Sequence, residues 1–297
     1  MGQGGRPVSG LRSRSTFAVR MPELIKIAPA RLLRQRLYAG LKTGMTESAA
    51  RSAVVFAPHQ DDETLGCGGT IIARREAGVP VHIVFMTDGT TSHRRFVKQE
   101  ELRRIRAEEA IRAAGILGVD APNVCFLDYP DGQLRDWHDS AVRRVMEVLA
   151  EAVPEEVFIP YRNDGTPDHE STYRIVIEAL ESQQRAVHVY EYPVWFWNQW
   201  PWVPLQLNLN RDSLKKISHV VRSGCGASFF TLFRDGLFVR EVLDRKRRAL
   251  TEHRSQMTRL VSGIEWPILS DVSEGEFLDC FFQDFEVFHR WNTRAAR

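Results

Sequence analysis

One turn of this sequence carries most of its chemical signal. Pro58-His59-Gln60-Asp61-Asp62-Glu63 sets a histidine and three acids directly behind the apolar run AVVFA. Left unneutralised, Asp61, Asp62 and Glu63 would repel one another. A divalent cation removes that repulsion. His59 and Asp62 are three residues apart, so a tight turn can aim both at one ion. His169, in Thr166-Pro167-Asp168-His169 behind another apolar run, would complete a His, Asp, His set. Three N/O donors with an open position are the arrangement of a catalytic zinc, although iron and manganese accept the same ligands. Asp61 is then left over between two ligands, and a carboxylate beside such a metal is the expected general base. The competing reading makes His59 a helix cap and the acids a favourable charge at the helix N-terminus. A returning Pro-Asp-His from a second strand weighs for the metal.

Separate elements must deliver these groups to one place. Five short, nearly continuous apolar runs recur: AVVFAP after Ser52, VPVHIVFMT from Val79, NVCFLDY from Asn123, EVFIPY from Glu156 and AVHVYEY from Ala186. Strands buried on both faces read this way. Between them, Ala107, Ala110, Ile111 and Ala114 fall at helical spacing. So do Val142, Val145, Met146, Leu149 and Val153, and so do Tyr173, Val176, Ile177 and Leu180. The alternation predicts an α/β fold with a Rossmann-like, mostly parallel sheet and helices on both faces. Ligands of such sheets bind beyond the carboxyl ends of the strands, where the polar runs 58–63, 87–91, 128–132 and 162–169 gather. Gly66-Cys67-Gly68-Gly69-Thr70 resembles a dinucleotide loop only loosely. It lacks the GxGxxG spacing and follows acids that would repel a pyrophosphate. Close packing of the first helix on the sheet explains these glycines better.

The outer parts of the chain are less regular. Residues 1–21 form a basic, Gly- and Ser-rich tail expected to be disordered. Residues 22–50 are a helical extension, an amphipathic segment interrupted by Pro29. Its basic excess admits a membrane-surface role, with packing on the main domain as the other reading. The main domain is 51–297. Residues 193–204 hold Trp195, Trp197, Trp200 and Trp202 among prolines and read as an irregular loop. That loop could stack on sugar rings, contact a second subunit or form a lid. Residues 237–260 read as helical, and the tail FLDCFFQDFEVFHRW must pack somewhere.

Bulk properties exclude several classes. A net charge of +2 over 297 residues sets up no strong field, so no nucleic acid is expected as a partner. Cys67, Cys125, Cys225 and Cys280 are far apart, which supports neither a disulfide framework nor a thiolate metal cluster. Reduced thiols, no apolar stretch near the roughly 20 residues of a membrane span and no secretory signal give a cytoplasmic enzyme as the expectation.

AVVFAPHQDDETLGCGGTI resembles the signature of the PIG-L/LmbE-like deacetylase family, usually written with Pro where Gln60 stands. The later motifs agree in order: TDG at Thr87, TPDH at Thr166 and KRRALTEHRSQ at Lys246. The resemblance spans roughly residues 52–260. It implies a Zn2+-dependent hydrolase that removes an N-acetyl or other N-acyl group from an amino-sugar conjugate such as an N-acetylglucosamine derivative. It makes His59, Asp62 and His169 the metal ligands and Asp61 the base. Members often carry a histidine where this chain has Thr166, a residue proposed to polarise the acyl oxygen or protonate the leaving group. His253, which shares a helical stripe with Lys246 and Leu250, is a candidate for the missing acid. A buried histidine holding the C-terminal segment is the other reading. Asp168 is a candidate partner for a ligating histidine. Arg94, Arg95 and Arg162 could meet a phosphate or carboxylate of the substrate. Two alternatives are a sugar-binding relative that has lost activity and a metal-dependent hydrolase of another bond. The partner is a small-molecule or glycoconjugate substrate, with a homo-oligomer compatible.

Overall fold

A computed structural model describes residues 23–42, 45, 50–199, 201–203, 227–261 and 263–293. The 1–21 tail, Trp200 and Cys225 lie outside them. The five apolar runs are β1 (Ala53–Ala57), β2 (Val81–Thr87), β3 (Val124–Tyr129), β4 (Glu156–Pro160) and β5 (His188–Tyr192), and their pairings are all parallel. Two further strands, β6 (Asp235–Phe238) and β7 (Phe285–Asn292), extend the sheet antiparallel beyond β5. The seven-stranded order is β3-β2-β1-β4-β5-β7-β6. β1 therefore has β2 on one side and β4 on the other. Connections leave in opposite directions there, which opens a crevice beyond the carboxyl ends of β1 and β4.

Helices cover both faces, and alternate residues of β1 serve two cores. Ala53, Val55 and Ala57 join Ile71 of α2 (Asp62–Glu76) and Ala110, Ala114 and Leu117 of α3 (Gln99–Leu117). Val54 and Phe56 face the other way, onto Val142, Val145 and Leu149 of α4 (His138–Ala152) and Ile175, Val176 and Leu180 of α5 (Pro167–Gln183). Chain regions outside the βα units close the first face. The helix α1 (Glu23–Ala39) runs through Pro29 rather than breaking there. It docks through buried Leu37 and through Arg34, whose Nη1 donates to Trp202 O at 3.1 Å and to Cys280 Sγ at 3.0 Å.

The region 237–260 is only partly helical. Its first residues belong to β6, and the helices are Leu243–Glu252 and Arg254–Met257. The apolar tail supplies β7, and pairing with it holds the Asp235–Phe238 segment extended. Lys246 is a bolt between helix and sheet, not a substrate contact. Its buried Nζ donates to Leu65 O and Phe281 O, each at 2.9 Å, and to Glu286 Oε1 at 2.7 Å. Cys67, Cys125 and Cys280 are free thiols. Among the described residues no helix is long and apolar enough to cross a membrane.

The glycines of α2 let the helix sit on the sheet. A Cβ on Gly66 would fall 2.2 Å from the Tyr192 ring, and Tyr192 is pinned because its hydroxyl donates to Phe56 O at 2.7 Å. Gly66→Ala is expected to cost about 1–3 kcal/mol by overpacking. Gly115→Ala in α3, where nothing lies within 4 Å of the added methyl, is expected to gain about 0.5–1 kcal/mol from helix propensity and lost chain entropy. Urea unfolding of the two variants checks this, and equal effects would contradict the close helix–sheet contact.

Candidate metal centre

β1 ends in the acidic turn, and the turn is held rigidly. Asp61 adopts φ 142° and ψ −27°, a conformation that costs a non-glycine residue energy and that persists only where surroundings enforce it. Here its N–H donates to Glu63 Oε2 at 3.0 Å, while Gln256 Nε2 donates to its Oδ2. Glu63 is itself fixed by His253, whose Nε2 lies 3.0 Å from Glu63 Oε1. His253 is fully buried and does not line the crevice, so it is a support of the turn and not the acid missing at position 166. Gln60, standing where proline is usual, donates from Nε2 to Thr87 O at 2.8 Å and so ties the turn to the end of β2.

Three of the expected residues converge. Asp62 Oδ2 lies 3.3 Å from His59 Nδ1 and 3.2 Å from His169 Nε2, and one donor atom from each of the three lies within 4.8 Å of the others. Each imidazole faces a carboxylate on its far side. His169 Nδ1 lies 2.7 Å from Asp164 Oδ2, and His59 Nε2 lies 3.2 Å from Asp131 Oδ1 and 3.4 Å from Asp168 Oδ2. Both ring nitrogens of His169 are buried without an aligned hydrogen bond. Two imidazoles and one carboxylate, with acids behind the imidazoles, fit a divalent metal of the zinc type.

Charge follows this packing. Burial works against charge on both histidines, but the acids prevail: His59 is held well above its ordinary range and His169 is raised to about 9. Burial likewise opposes ionisation of Asp62, yet His169 and His59 hold it below the usual carboxylate range. Asp61 has the opposite fate. Burial first, and then the Asp62 charge, push it up to about 8. Adjacent carboxyls thus prefer different protonation states, the pattern of an acid–base site.

The crevice above is a cavity of about 380 Å³. Thr166 lines it with a buried Oγ1 that has no hydrogen-bond partner. Asp168 also lines it, but its main task is to accept N–H bonds from Gly132 at 2.6 Å and Leu134 at 3.3 Å. Its histidine neighbour is His59, while His169 is faced by Asp164. Arg94 is exposed and outside the cavity. Arg162 is drawn away by Glu191, its Nη2 donating to Oε1 at 2.5 Å, and lies over the Tyr173 ring. Of the tryptophans, Trp197 and Trp202 are core residues packed on Phe229, and Trp195 alone among the described tryptophans of that loop lines the cavity.

Several residues of the site went unflagged in the sequence. Arg106 lines the cavity, is buried and donates to Gly89 O. Its signal was present, because it falls on the stripe of Leu102, Ala110 and Leu117, where a charge does not belong without a partner. Asp131 and Asp164 stand in the right loops, but nothing in their spacing separates them from solvated loop acids. Asp131 is positioned by the TDG loop, with Thr91 N donating to its Oδ2 at 2.8 Å. His93 packs against Trp266 with ring centroids 4.4 Å apart, tilted by 31°, and its Nε2 lies 2.8 Å from Pro267 O. It and Gln256 reach the site only through tertiary packing.

Known proteins agree with this architecture. Residues 54–180 match the GlcNAc-PI de-N-acetylase (PIG-L) family. The chain is 31% identical, over 44% of its length, to a probable N-acetyl-alpha-D-glucosaminyl L-malate deacetylase 2 of Bacillus anthracis, of which it spans 59%. It is 27% identical, over 73% of its length, to the 1D-myo-inositol 2-acetamido-2-deoxy-alpha-D-glucopyranoside deacetylase of Nocardia farcinica, of which it spans 84%. Its fold is similar to that of the N,N'-diacetylchitobiose deacetylase from Pyrococcus horikoshii, with a TM-score of 0.59 at 20% identity over 93% of this chain and 95% of that one. In its acidic turn, its TPDH segment and residues 54–180 as a whole, the chain is similar to the PIG-L family of LmbE-like deacetylases.

Proposed function

We propose that this chain hydrolyses the acetamide of an N-acetylated amino-sugar, with zinc held by His59, Asp62 and His169. The observation that carries the reading is the meeting of those three residues at the carboxyl ends of β1 and β4 with Asp61 beside them. The relatives named above act, by their names, on N-acetylglucosamine derivatives. When bound, the metal would supply a Lewis acid that polarises the amide carbonyl and makes water more acidic.

The chain's own groups do the rest. Asp61 accepts a proton from the attacking water as the new C–O bond forms. Burial makes this carboxylate a stronger base than an exposed one, and once protonated it passes the proton to the amine nitrogen as the C–N bond breaks, giving acetate and a free amino-sugar. Gln256 keeps the carboxylate aimed by donating to Oδ2. The unpartnered Thr166 hydroxyl supplies a hydrogen bond to the developing oxyanion. Asp131, Asp164 and Asp168 hold the two imidazoles in place. Arg106 offsets the acids from the side of α3.

Acetate release from N-acetylglucosamine conjugates, measured together with metal content, tests this directly. Asp61→Asn should keep its metal and lose about 10²- to 10⁴-fold in kcat, the usual range for a general base. His169→Ala should lose the metal itself. Full activity in Asp61→Asn would remove it as the base, and wild-type protein that binds no divalent metal would sink the assignment.

Thermal stability offers an independent check. Without metal, His169 is raised from 6.5 to about 9, so its stabilising charge is fully present below about pH 6.5 and fades as pH rises through about 9. Asp61, raised from 3.8 to about 8, also loses its contribution as pH rises. Metal binding needs neutral imidazoles and strengthens in the same direction. The gap in Tm between zinc-loaded and chelator-treated protein should therefore widen from about pH 6.5 to about pH 8.5. A gap that narrows would contradict a site built on His59 and His169.

A further inference from the structure

The cavity has two unlike sides. One carries the acids, the histidines and Arg106. The other is made of Leu65, Val194, Trp195, Ile268, Leu269 and Val272. This apolar side has an outward gradient. Leu65, Val194 and Leu269 are buried, Trp195, Ile268 and Val272 are half-buried, and Pro267 is exposed at the rim.

This surface is anchored. Arg259 Nη2 donates to Asp271 Oδ1 at 2.7 Å and its Nη1 to Trp266 O at 2.5 Å, which closes the 259–271 excursion at its base. Trp195 is fixed in turn, its ring stacked on Phe277 at 5.1 Å. Its backbone N–H donates to Asp164 Oδ2 at 2.9 Å, the same oxygen that lies 2.7 Å from His169 Nδ1. One carboxylate thus sets both the proposed metal ligand and the apolar wall, so the wall stands in a fixed relation to the reacting amide.

An acetyl group has a single methyl and is buried at the metal, so it needs no apolar path to solvent. Sugar hydroxyls match the polar side. What remains is the part of the substrate that leads out of the cavity. We infer that the substrate is an amino-sugar whose aglycone is alkyl or aryl, packed along Trp195, Ile268, Leu269 and Val272. This rests on the deacetylase reading of the same site and adds to it the chemical class of the aglycone.

The test holds the sugar constant and varies one end at a time. Acetate release is measured from the methyl, hexyl and phenyl glycosides of N-acetylglucosamine in both anomers. Amine release is measured from methyl glucosaminide carrying an N-hexanoyl group. The hexyl and phenyl glycosides should show KM values about tenfold or more below the methyl glycoside, since each buried methylene contributes roughly fourfold at most, and N-hexanoylation should give no such gain. Val272→Asn should move the hexyl-to-methyl ratio of kcat/KM towards one. Equal KM values for hexyl and methyl glycosides in wild type would overturn the inference while leaving the deacetylase reading standing. A gain on the N-hexanoyl side instead would place the wall at the acyl group and overturn it equally. Release from none of these compounds would sink the deacetylase reading and the inference together.

Discussion

Everything about this site follows from the burial of carboxylates close together. Asp61, Asp62, Glu63, Asp164 and Asp168 are each at most 5% exposed, and charges removed from water must be paired or protonated. The fold supplies a different answer for each. Asp62 sits between two imidazoles, Asp164 accepts three backbone N–H groups from Val194, Trp195 and Phe196, and Glu63 is met by His253. Asp61 is left with a neutral amide donor, Gln256, and is the group whose proton affinity rises. A divalent cation at His59, Asp62 and His169 would complete the balance, and the two histidines carry compensating charge until it arrives.

That demand explains the topology around the site. The compensating groups come from β1, α3, α5, the loops after β2, β3 and β4, and the 253–256 segment, so each connection must end at the same sheet edge. The switch point between β1 and β4 is the place where an open parallel sheet lets loops from both directions meet. The strained φ of Asp61 belongs to the same economy of space. The turn must present Asp61 and Asp62 on opposite sides of one peptide, one towards the imidazoles and one towards Gln256, and three hydrogen-bonded neighbours hold it there.

The parallel half of the fold was legible because apolar runs separated by helical periodicity leave few alternatives, and β1 to β5 fall within the runs read from the sequence. The antiparallel edge was not, since Asp235-Gly236-Leu237-Phe238 is too short to show a period and is held extended by β7. In the site, His59, Asp61, Asp62 and His169 stood out because their chemistry is dense in sequence. Asp131 and Gln256 did not, because their roles exist only through contacts with residues distant in the chain, and Asp164, five residues before His169, reads as an ordinary loop acid until the fold brings Val194, Trp195 and Phe196 onto it. His253 and Lys246 show the converse case, and for His253 the structure follows the reading of a buried supporting histidine rather than that of an acid. A polar residue on a core stripe signals a buried partner, and the partner proved to be Glu63 in one case and Glu286 in the other.

A division of labour follows from where these contacts lie in the chain. The proposed metal-ligating set and its supporting acids all fall within residues 54–180, the stretch that matches the family. The group that aims Asp61, the bolt at Lys246 and most of the apolar wall lie beyond it. Within the matched stretch, charge balance ties residues to one another, so changing one acid leaves an uncompensated partner buried. The wall is bound by no such accounting. An apolar side chain at a half-open rim can be exchanged for another of similar volume at small cost, provided that Trp195 keeps its N–H on Asp164. Asp164 is therefore the point at which the charge-balanced set and the apolar wall are joined, one of its oxygens meeting both the Trp195 backbone N–H and His169 Nδ1.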